Sequence, residues 1–123
     1  MQLAHLEAAT EALERLDVEA LVAHYAADFV FEDVAADIAI TTREELRRYY
    51  GGLFSMPGVA FTDVYVFVDD SGRGGGEWTW SGFGEDGNPF SIRGASIFEV
   101  EDSGITRETI YYLPPHLRSA AAS

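Results

Sequence analysis

The feature that most constrains this chain is a change in the spacing of its apolar residues near Val59. Before this point apolar side chains recur every three or four residues, as they do along amphipathic helices. After it apolar and polar side chains alternate, as they do along strands with one buried face. Because helices come first and strands last, we predict one α+β domain over residues 1–123, in which a cone-shaped, curved antiparallel sheet wraps around three N-terminal helices.

The predicted helices lie at residues 2–16, at residues 18–26 and after Thr42. Thr42 precedes Glu45 by three positions, and this spacing predicts a capping box at the start of the third helix. The predicted strands, separated by turns rich in glycine, cover residues 28–34, 59–69, 74–83, 90–100 and 105–113.

Three short segments between and after these elements carry further predictions. Residues 35–41 are predicted to form a loop. The glycines at 74–76 predict a bulge or a strongly bent strand, because glycine inside a strand is typical of both. Residues 117–123 are predicted to form a frayed tail.

Composition excludes several classes of partner. The net charge of −13 opposes binding to nucleic acid and to anionic membranes. The chain has no cysteine, and its N-terminus lacks the cationic and apolar blocks of a signal peptide, so we expect a cytoplasmic protein. We expect no metal, because His5, His24 and His116 lack ligand spacing, and no cofactor, because no phosphate-binding loop is present.

One strand carries an acidic residue on an otherwise apolar face. Phe29, Phe31 and Asp33 alternate with Val30 and Glu32, so the first three share one side of the strand. An ordinary core face does not end on a carboxylate. Asp33 therefore either lies in water at the end of the strand or is a carboxylate in a pocket.

The chain resembles a known superfamily in three segments, at residues 21–33, 45–50 and 104–112. It is similar to the nuclear transport factor 2-like domains, which include SnoaL-like polyketide cyclases, ketosteroid isomerases and limonene-epoxide hydrolases. The resemblance implies a cone-shaped α+β fold with a ligand cavity. It also implies a homodimer that pairs through the convex face of the sheet.

The resemblance to ketosteroid isomerases implies a general base without the two hydrogen-bond donors that normally accompany it. Glu32 and Asp33 fall where those enzymes carry a Glu-Asp pair whose Asp is the general base. The two donors that hold the enolate oxygen fall on Ala9 and Ser96, of which only Ser96 can form a weak hydrogen bond. This loss counts against steroid isomerisation by the known mechanism.

This chain also lacks catalytic residues that the other two activities of the superfamily require. SnoaL-like cyclases use a His and an Asp on the last strand, and those positions hold Glu108 and Ile110 here. The epoxide hydrolases need an Arg-x-Asp sequence on the 74–83 strand, and this chain has none there.

We predict that the cavity brings Asp33 and Glu108 together as an acid and a base, one of them with a raised pKa. The alternative is that Glu108 pairs with an Arg at the surface. The predicted substrate-binding residues are Tyr25, Phe31, Tyr49, Trp80, Ser96 and Tyr112. For Arg93, which lies on the face opposite Ser96, we expect a salt bridge or a dimer contact.

Three functions fit these residues. The first is a domain that binds a small apolar or aromatic molecule and acts as an isomerase, cyclase or lyase with Asp33 as general base. The second is a non-catalytic ligand-binding or dimerisation module whose own Tyr and Trp side chains fill the cavity. The third is a protein–protein adaptor with a large exposed apolar patch. An open cavity of roughly 300 Å³ that contains Asp33 would favour the first.

Overall fold

Three helices precede a six-stranded sheet in the computed structural model, which describes residues 2–114. The helices are α1 (Gln2–Glu14), α2 (Val18–Val22) and α3 (Arg43–Phe54). The strands are β1 (Tyr25–Asp33), β2 (Ile38–Ile40), β3 (Ala60–Val68), β4 (Arg73–Phe83), β5 (Pro89–Glu101) and β6 (Gly104–Tyr112). This order confirms the α+β prediction, and the predicted tail at 117–123 lies outside the described residues.

The sheet is curved, unclosed and mixed. Its strand order is β2-β1-β6-β5-β4-β3, and β3 to β6 form the predicted antiparallel meander. β1 pairs with β6 in parallel, so the expectation of a wholly antiparallel sheet is wrong at this one contact. The parallel register sets Phe31 beside Glu108 and Asp33 beside Ile110.

The helices cover the inner face of the sheet. α1 packs against β3 and α2, and it buries an apolar stripe that includes Leu6 and Ala12. Thr42 caps α3, since its hydroxyl accepts a hydrogen bond from the Glu45 backbone N–H at 3.2 Å, as the sequence predicts. None of the helices within residues 2–114 is long and apolar enough to cross a membrane.

Two predicted elements have different bounds in the structure. The second helix was expected to reach residue 26, but α2 ends at Val22, and Tyr25 already pairs with Ile105 in the sheet. The predicted loop at 35–41 contains β2, in which Ile40 pairs with Phe31. Sheet pairing therefore overrides the local helical pattern at Tyr25 and orders three residues of the loop.

The prediction of a bulge at residues 74–76 is wrong, and the irregularity lies on the neighbouring strand β3. Glycines 74–76 pair without interruption with both β3 and β5, whereas the register of β3 shifts between Thr62 and Tyr65, where Asp63 has a φ of 53°. A Cβ atom on Gly76 would lie 2.6 Å from the Tyr65 carbonyl oxygen. Glycine is needed at this position because the β3 backbone approaches too closely for a side chain.

Gly94 performs a similar role for the wall of the cavity. It pairs with Trp78 across β4 and β5, and a Cβ atom there would come within 2.6 Å of the Trp78 ring. The ring is buried and its indole N–H donates to Ser96 Oγ at 2.9 Å. The absence of a side chain at 94 therefore allows Trp78 to lie flat against the sheet.

We expect Gly94→Ala to lower the free energy of unfolding by about 1–3 kcal/mol, because the added methyl group forces the Trp78 ring to move. Urea unfolding followed by tryptophan fluorescence measures this change. Gly51→Ala is the matched control, since no atom lies within 4 Å of a Cβ there and alanine favours a helix by up to about 1 kcal/mol. A Gly94→Ala protein as stable as the parent, with unchanged fluorescence, contradicts the prediction.

Candidate functional site

A cavity of about 350 Å³ lies between the helices and the inner face of the sheet. Its wall is mainly apolar and aromatic. Both predicted catalytic residues line it, Asp33 and Glu108. The predicted substrate-binding residues line it as well: Tyr25, Phe31, Tyr49, Trp80, Ser96 and Tyr112. The cone is thus open, and its own Tyr and Trp side chains do not fill it.

Asp33 is a buried carboxylate at the end of β1, with 2% of its surface exposed. Its Oδ2 accepts hydrogen bonds from the hydroxyls of Tyr49 at 2.8 Å and Tyr112 at 3.0 Å. Its Oδ1 accepts the backbone N–H of Ala36 at 3.1 Å. The alternative that this side chain lies in water is therefore wrong.

The two hydroxyls bound to Asp33 stay protonated at neutral pH. Burial raises the pKa of Tyr49, and the nearby Tyr50 and Asp33 side chains raise it further. Burial likewise raises the pKa of Tyr112, with Asp33 as the second cause. Each tyrosine therefore keeps the single proton that it donates to Asp33.

Glu108 occupies a different environment on β6. It is 7% exposed, and its Oε1 accepts a short hydrogen bond from the hydroxyl of Tyr25. The Tyr25 and Tyr50 hydroxyls lie 3.0 Å apart and share a further hydrogen bond. The alternative of a surface pair with Arg is wrong, because Arg107 points away from the cavity and pairs with Glu32 at 2.9 Å.

Burial raises the pKa of Glu108 from 4.5 to about 7. Hydrogen bonds from the Tyr25 and Ser96 hydroxyls act in the opposite direction and lower this pKa in part. Ser96 in turn accepts the Trp78 indole N–H at 2.9 Å, so the β4 and β5 strands contribute to the same network. One carboxyl with a raised pKa agrees with the sequence prediction.

Aromatic rings surround both carboxyls. The Phe31 ring lies 5.0 Å from Tyr49 and 5.9 Å from Tyr50, and the Trp80 ring lies 5.9 Å from Tyr112. The indole N–H of Trp80 is buried, and it has no hydrogen-bond partner among the described residues. Trp78 and Trp80 both lie on the inner face of the sheet and line the cavity.

Tyr50 is a site residue that the sequence patterns did not single out. Its hydroxyl belongs to the Glu108 network through its hydrogen bond with Tyr25. The available signal was its position one helical turn after the buried Leu46, which directs it at the inner face of β1. Arg93 lies outside the site and forms an ion pair with Glu77 at 3.1 Å.

No cluster of three potential metal ligands occurs within residues 2–114. The polar groups of the cavity are instead carboxyls, hydroxyls and indoles. Such a set can hold a small molecule by hydrogen bonds, and the raised pKa of Glu108, about 7, allows this carboxyl to exchange a proton near neutral pH.

Comparison with known proteins identifies relatives by family and by fold. The family model of a SnoaL-like domain matches residues 6–108. No curated protein sequence matches the chain.

Several solved structures are similar to this one. A candidate polyketide cyclase from Xanthomonas campestris pv. campestris has a TM-score of 0.81 at 24% identity, covering 98% of this chain and 94% of its own. A hypothetical protein with a ketosteroid isomerase-like fold from Catenulispora acidiphila, in complex with trimethylamine, has a TM-score of 0.76 at 22% identity and covers 88% and 84%. TerC, co-crystallised with polyporic acid, has a TM-score of 0.79 at 10% identity and covers 99% and 98%. At these identities the similarity shows the fold alone.

The raised pKa of Glu108 predicts a loss of stability with rising pH. Between its ordinary pKa of 4.5 and its folded value of about 7, the folded chain keeps a proton that the unfolded chain has released. The contribution of Glu108 is therefore fully present below about pH 4.5 and falls by about 3 kcal/mol as the pH rises through about 7.

We expect Glu108→Gln to lose less stability than the parent between about pH 5 and about pH 8, because the amide does not titrate. Urea unfolding across this range measures the slope. Glu101→Gln, at the exposed end of β5, is the control and should follow the parent. Equal slopes for the parent and Glu108→Gln would show that burial does not retain the proton.

Proposed function

We propose that this chain, which belongs to the SnoaL-like domain family, binds a small apolar or aromatic molecule and performs acid–base chemistry on it. The reaction classes that fit are isomerisation, cyclisation and lyase chemistry. The observation that carries the proposal is a pair of buried carboxyls in contrasting environments on the wall of one aromatic cavity. Pairs of this kind divide into an acid and a base.

In this proposal Asp33 is the general base. Its two oxygens accept hydrogen bonds from Tyr49, Tyr112 and Ala36, which hold the carboxylate in place. A carboxylate offers about four acceptor sites, so about one remains for a proton of the substrate. The proton would move from the substrate to Asp33 Oδ1, whose hydrogen-bond partner within residues 2–114 is the Ala36 N–H.

Glu108 is the complementary acid. A group whose pKa is about 7 is half protonated at neutral pH, which suits proton donation to the substrate. Glu108 would give its proton to a second atom of the substrate, and the Tyr25 hydroxyl would stabilise the resulting carboxylate. Each carboxyl then returns to its starting state when Asp33 releases a proton and Glu108 regains one.

The structural neighbours support the binding part of this proposal. One was crystallised with trimethylamine and another with polyporic acid, so the fold holds small molecules in both cases. The cavity volume of about 350 Å³ is within the usual range for ligand pockets.

A non-catalytic ligand-binding module is the second candidate. It is favoured by the hydrogen bonds at Asp33, because donors from the protein already occupy three of about four acceptor sites of this carboxylate. Binding without turnover would then be the function of the cavity. The cytoplasmic location expected from the sequence stays a prediction under either candidate.

The outer face of the sheet supports a homodimer. Tyr65, Phe67, Ile97 and Tyr111 are each between 47% and 61% exposed. They lie on adjacent strands, since Phe67 and Ile97 both pair with Gly75, and Ala95 pairs with Tyr111. We propose that a second copy of the chain covers this patch, because its burial removes apolar surface from water.

We expect Asp33→Asn and Glu108→Gln each to lower kcat by about 10²–10⁴-fold, because each removes one proton-transfer group. The substrates to screen are aromatic and cyclic carbonyl compounds, with and without hydroxyl groups. The rate of the parent should also fall as the pH rises above about 7, where Glu108 loses its proton, and Glu108→Gln should lack this fall.

Asp28→Asn and Glu101→Gln, both exposed, are the matched controls and should retain the parent kcat. Tight binding of a compound with no turnover of any member of the panel would contradict the catalytic proposal and favour the second candidate.

The dimer proposal predicts that the parent sediments as a dimer and that the double variant Phe67→Lys with Ile97→Lys sediments as a monomer. Two buried ammonium groups in an apolar interface are strongly unfavourable. Analytical ultracentrifugation measures both species. Val34→Lys, an exposed position in the turn after β1, should leave the dimer intact. A monomeric parent would instead favour an adaptor that uses the patch for another protein.

A further inference from the structure

One end of the cavity is formed by hydroxyl oxygen atoms whose protons are already donated to another residue of the chain. Tyr49 and Tyr112 each have one hydroxyl proton, and both donate it to Asp33 Oδ2. A hydroxyl oxygen that has donated its proton still carries lone pairs. Toward a ligand, the tyrosine oxygens of this cluster therefore act as hydrogen-bond acceptors.

Asp33 adds to the same acceptor character. An ionised carboxylate has no proton to give, and about one of its four acceptor sites remains after the Tyr49, Tyr112 and Ala36 bonds. The cluster of Asp33, Tyr49 and Tyr112 is thus a patch of acceptors with a negative charge at its centre. A carbonyl or ether oxygen placed against these three side chains would meet lone pairs and gain no hydrogen bond from them.

The charges around the cavity also disfavour an anionic ligand. Among the described residues that line it, Asp33 and Glu108 are acidic and none is Lys, Arg or His. An anion that enters an apolar cavity loses its hydration and meets a carboxylate without a compensating cation. The cavity wall therefore disfavours carboxylates and accepts neutral or cationic molecules.

The aromatic rings beside the cluster indicate the chemistry of the apolar part of the ligand. Phe31 packs beside Tyr49 with ring centroids 5.0 Å apart, and Trp80 packs beside Tyr112 at 5.9 Å. A flat apolar or aromatic body fits against such rings. Its polar group would then lie at the oxygen atoms of the cluster.

We propose that Asp33, Tyr49 and Tyr112 form a hydrogen-bond-accepting subsite that binds an O–H or N–H donor on a neutral or cationic aromatic ligand. This inference rests on the proposed binding function and specifies the ligand class. A hydroxyl and a protonated amine share the required chemistry, and the experiment separates them.

The test uses four probes of one shape: 2-naphthol, 2-methoxynaphthalene, 2-naphthylmethylammonium and 2-naphthoate. Calorimetry or tryptophan quenching at about pH 6, where naphthol is neutral and naphthoate is charged, gives their affinities. We expect 2-naphthol or the ammonium to bind about ten- to a hundredfold more tightly than 2-methoxynaphthalene. A hydrogen bond to a charged group strengthens binding by about this factor. We expect 2-naphthoate to bind more weakly than all three.

Asp33→Asn should remove the preference for 2-naphthol over 2-methoxynaphthalene, and Asp28→Asn on the same strand should preserve it. Tyr112→Phe is the second variant, in case Asp33→Asn fails to fold. It frees one acceptor site on Asp33 Oδ2, so the preference for a donor should persist. Tyr111→Phe, which alters the neighbouring outward-facing tyrosine, should match the parent.

Each result separates this inference from the proposed function. Equal binding of 2-naphthol, the ammonium and 2-methoxynaphthalene overturns the accepting subsite but leaves small-molecule binding intact. Preferred binding of 2-naphthoate overturns the subsite in the same way. Binding of none of the four probes overturns both proposals.

Discussion

The parallel pairing of β1 with β6 is the contact on which the candidate site depends. It aligns Phe31 with Glu108 and Asp33 with Ile110, so side chains from the two strands point to the same face of the sheet. Both carboxyls consequently enter the cavity, although 75 residues separate them in the chain. A shift of one residue in this register would turn one of the two carboxyls to the outer face.

The two acids differ because their neighbours differ. Asp33 lies where a turn, a helix and the last strand each supply a donor, so its negative charge is matched by hydrogen bonds. Glu108 lies among largely apolar groups, and burial raises its pKa more than the hydrogen bond from Tyr25 lowers it. Tyrosines are suited to both roles, because the ring packs in an apolar wall and the hydroxyl reaches a carboxylate.

Much of the fold could be predicted from local patterns. The change of period near Val59, the Thr42 cap and the alternation of Phe29, Phe31 and Asp33 depend on neighbours in the sequence, and the structure agrees with all three. The end of α2, the short β2 strand and the bulge could not be predicted this way. They depend on pairing between distant segments, such as Tyr25 with Ile105, which no local window contains.

In the candidate site, too, local patterns predicted some features and contacts between distant residues decided the others. Helical and strand periodicity predicted which side chains face inward, and all eight predicted residues line the cavity. The partners of those side chains were not predictable, because the Tyr50 hydroxyl contacts Tyr25 across 25 positions and Tyr112 contacts Asp33 across 79. Burial and hydrogen-bond partners together set the environment of each carboxyl, so the chemistry of the pair required the three-dimensional structure.

The bulge in β3 has a consequence for the chain in concentrated solution. β3 is an edge strand of an open sheet, and an unbroken edge of nine residues offers a template on which another molecule can add a strand. The register shift between Thr62 and Tyr65 interrupts that row of backbone groups, and the left-handed Asp63 places a charged side chain within it. The irregularity thereby hinders edge-to-edge aggregation. It leaves the outer face of the sheet as the surface open to association.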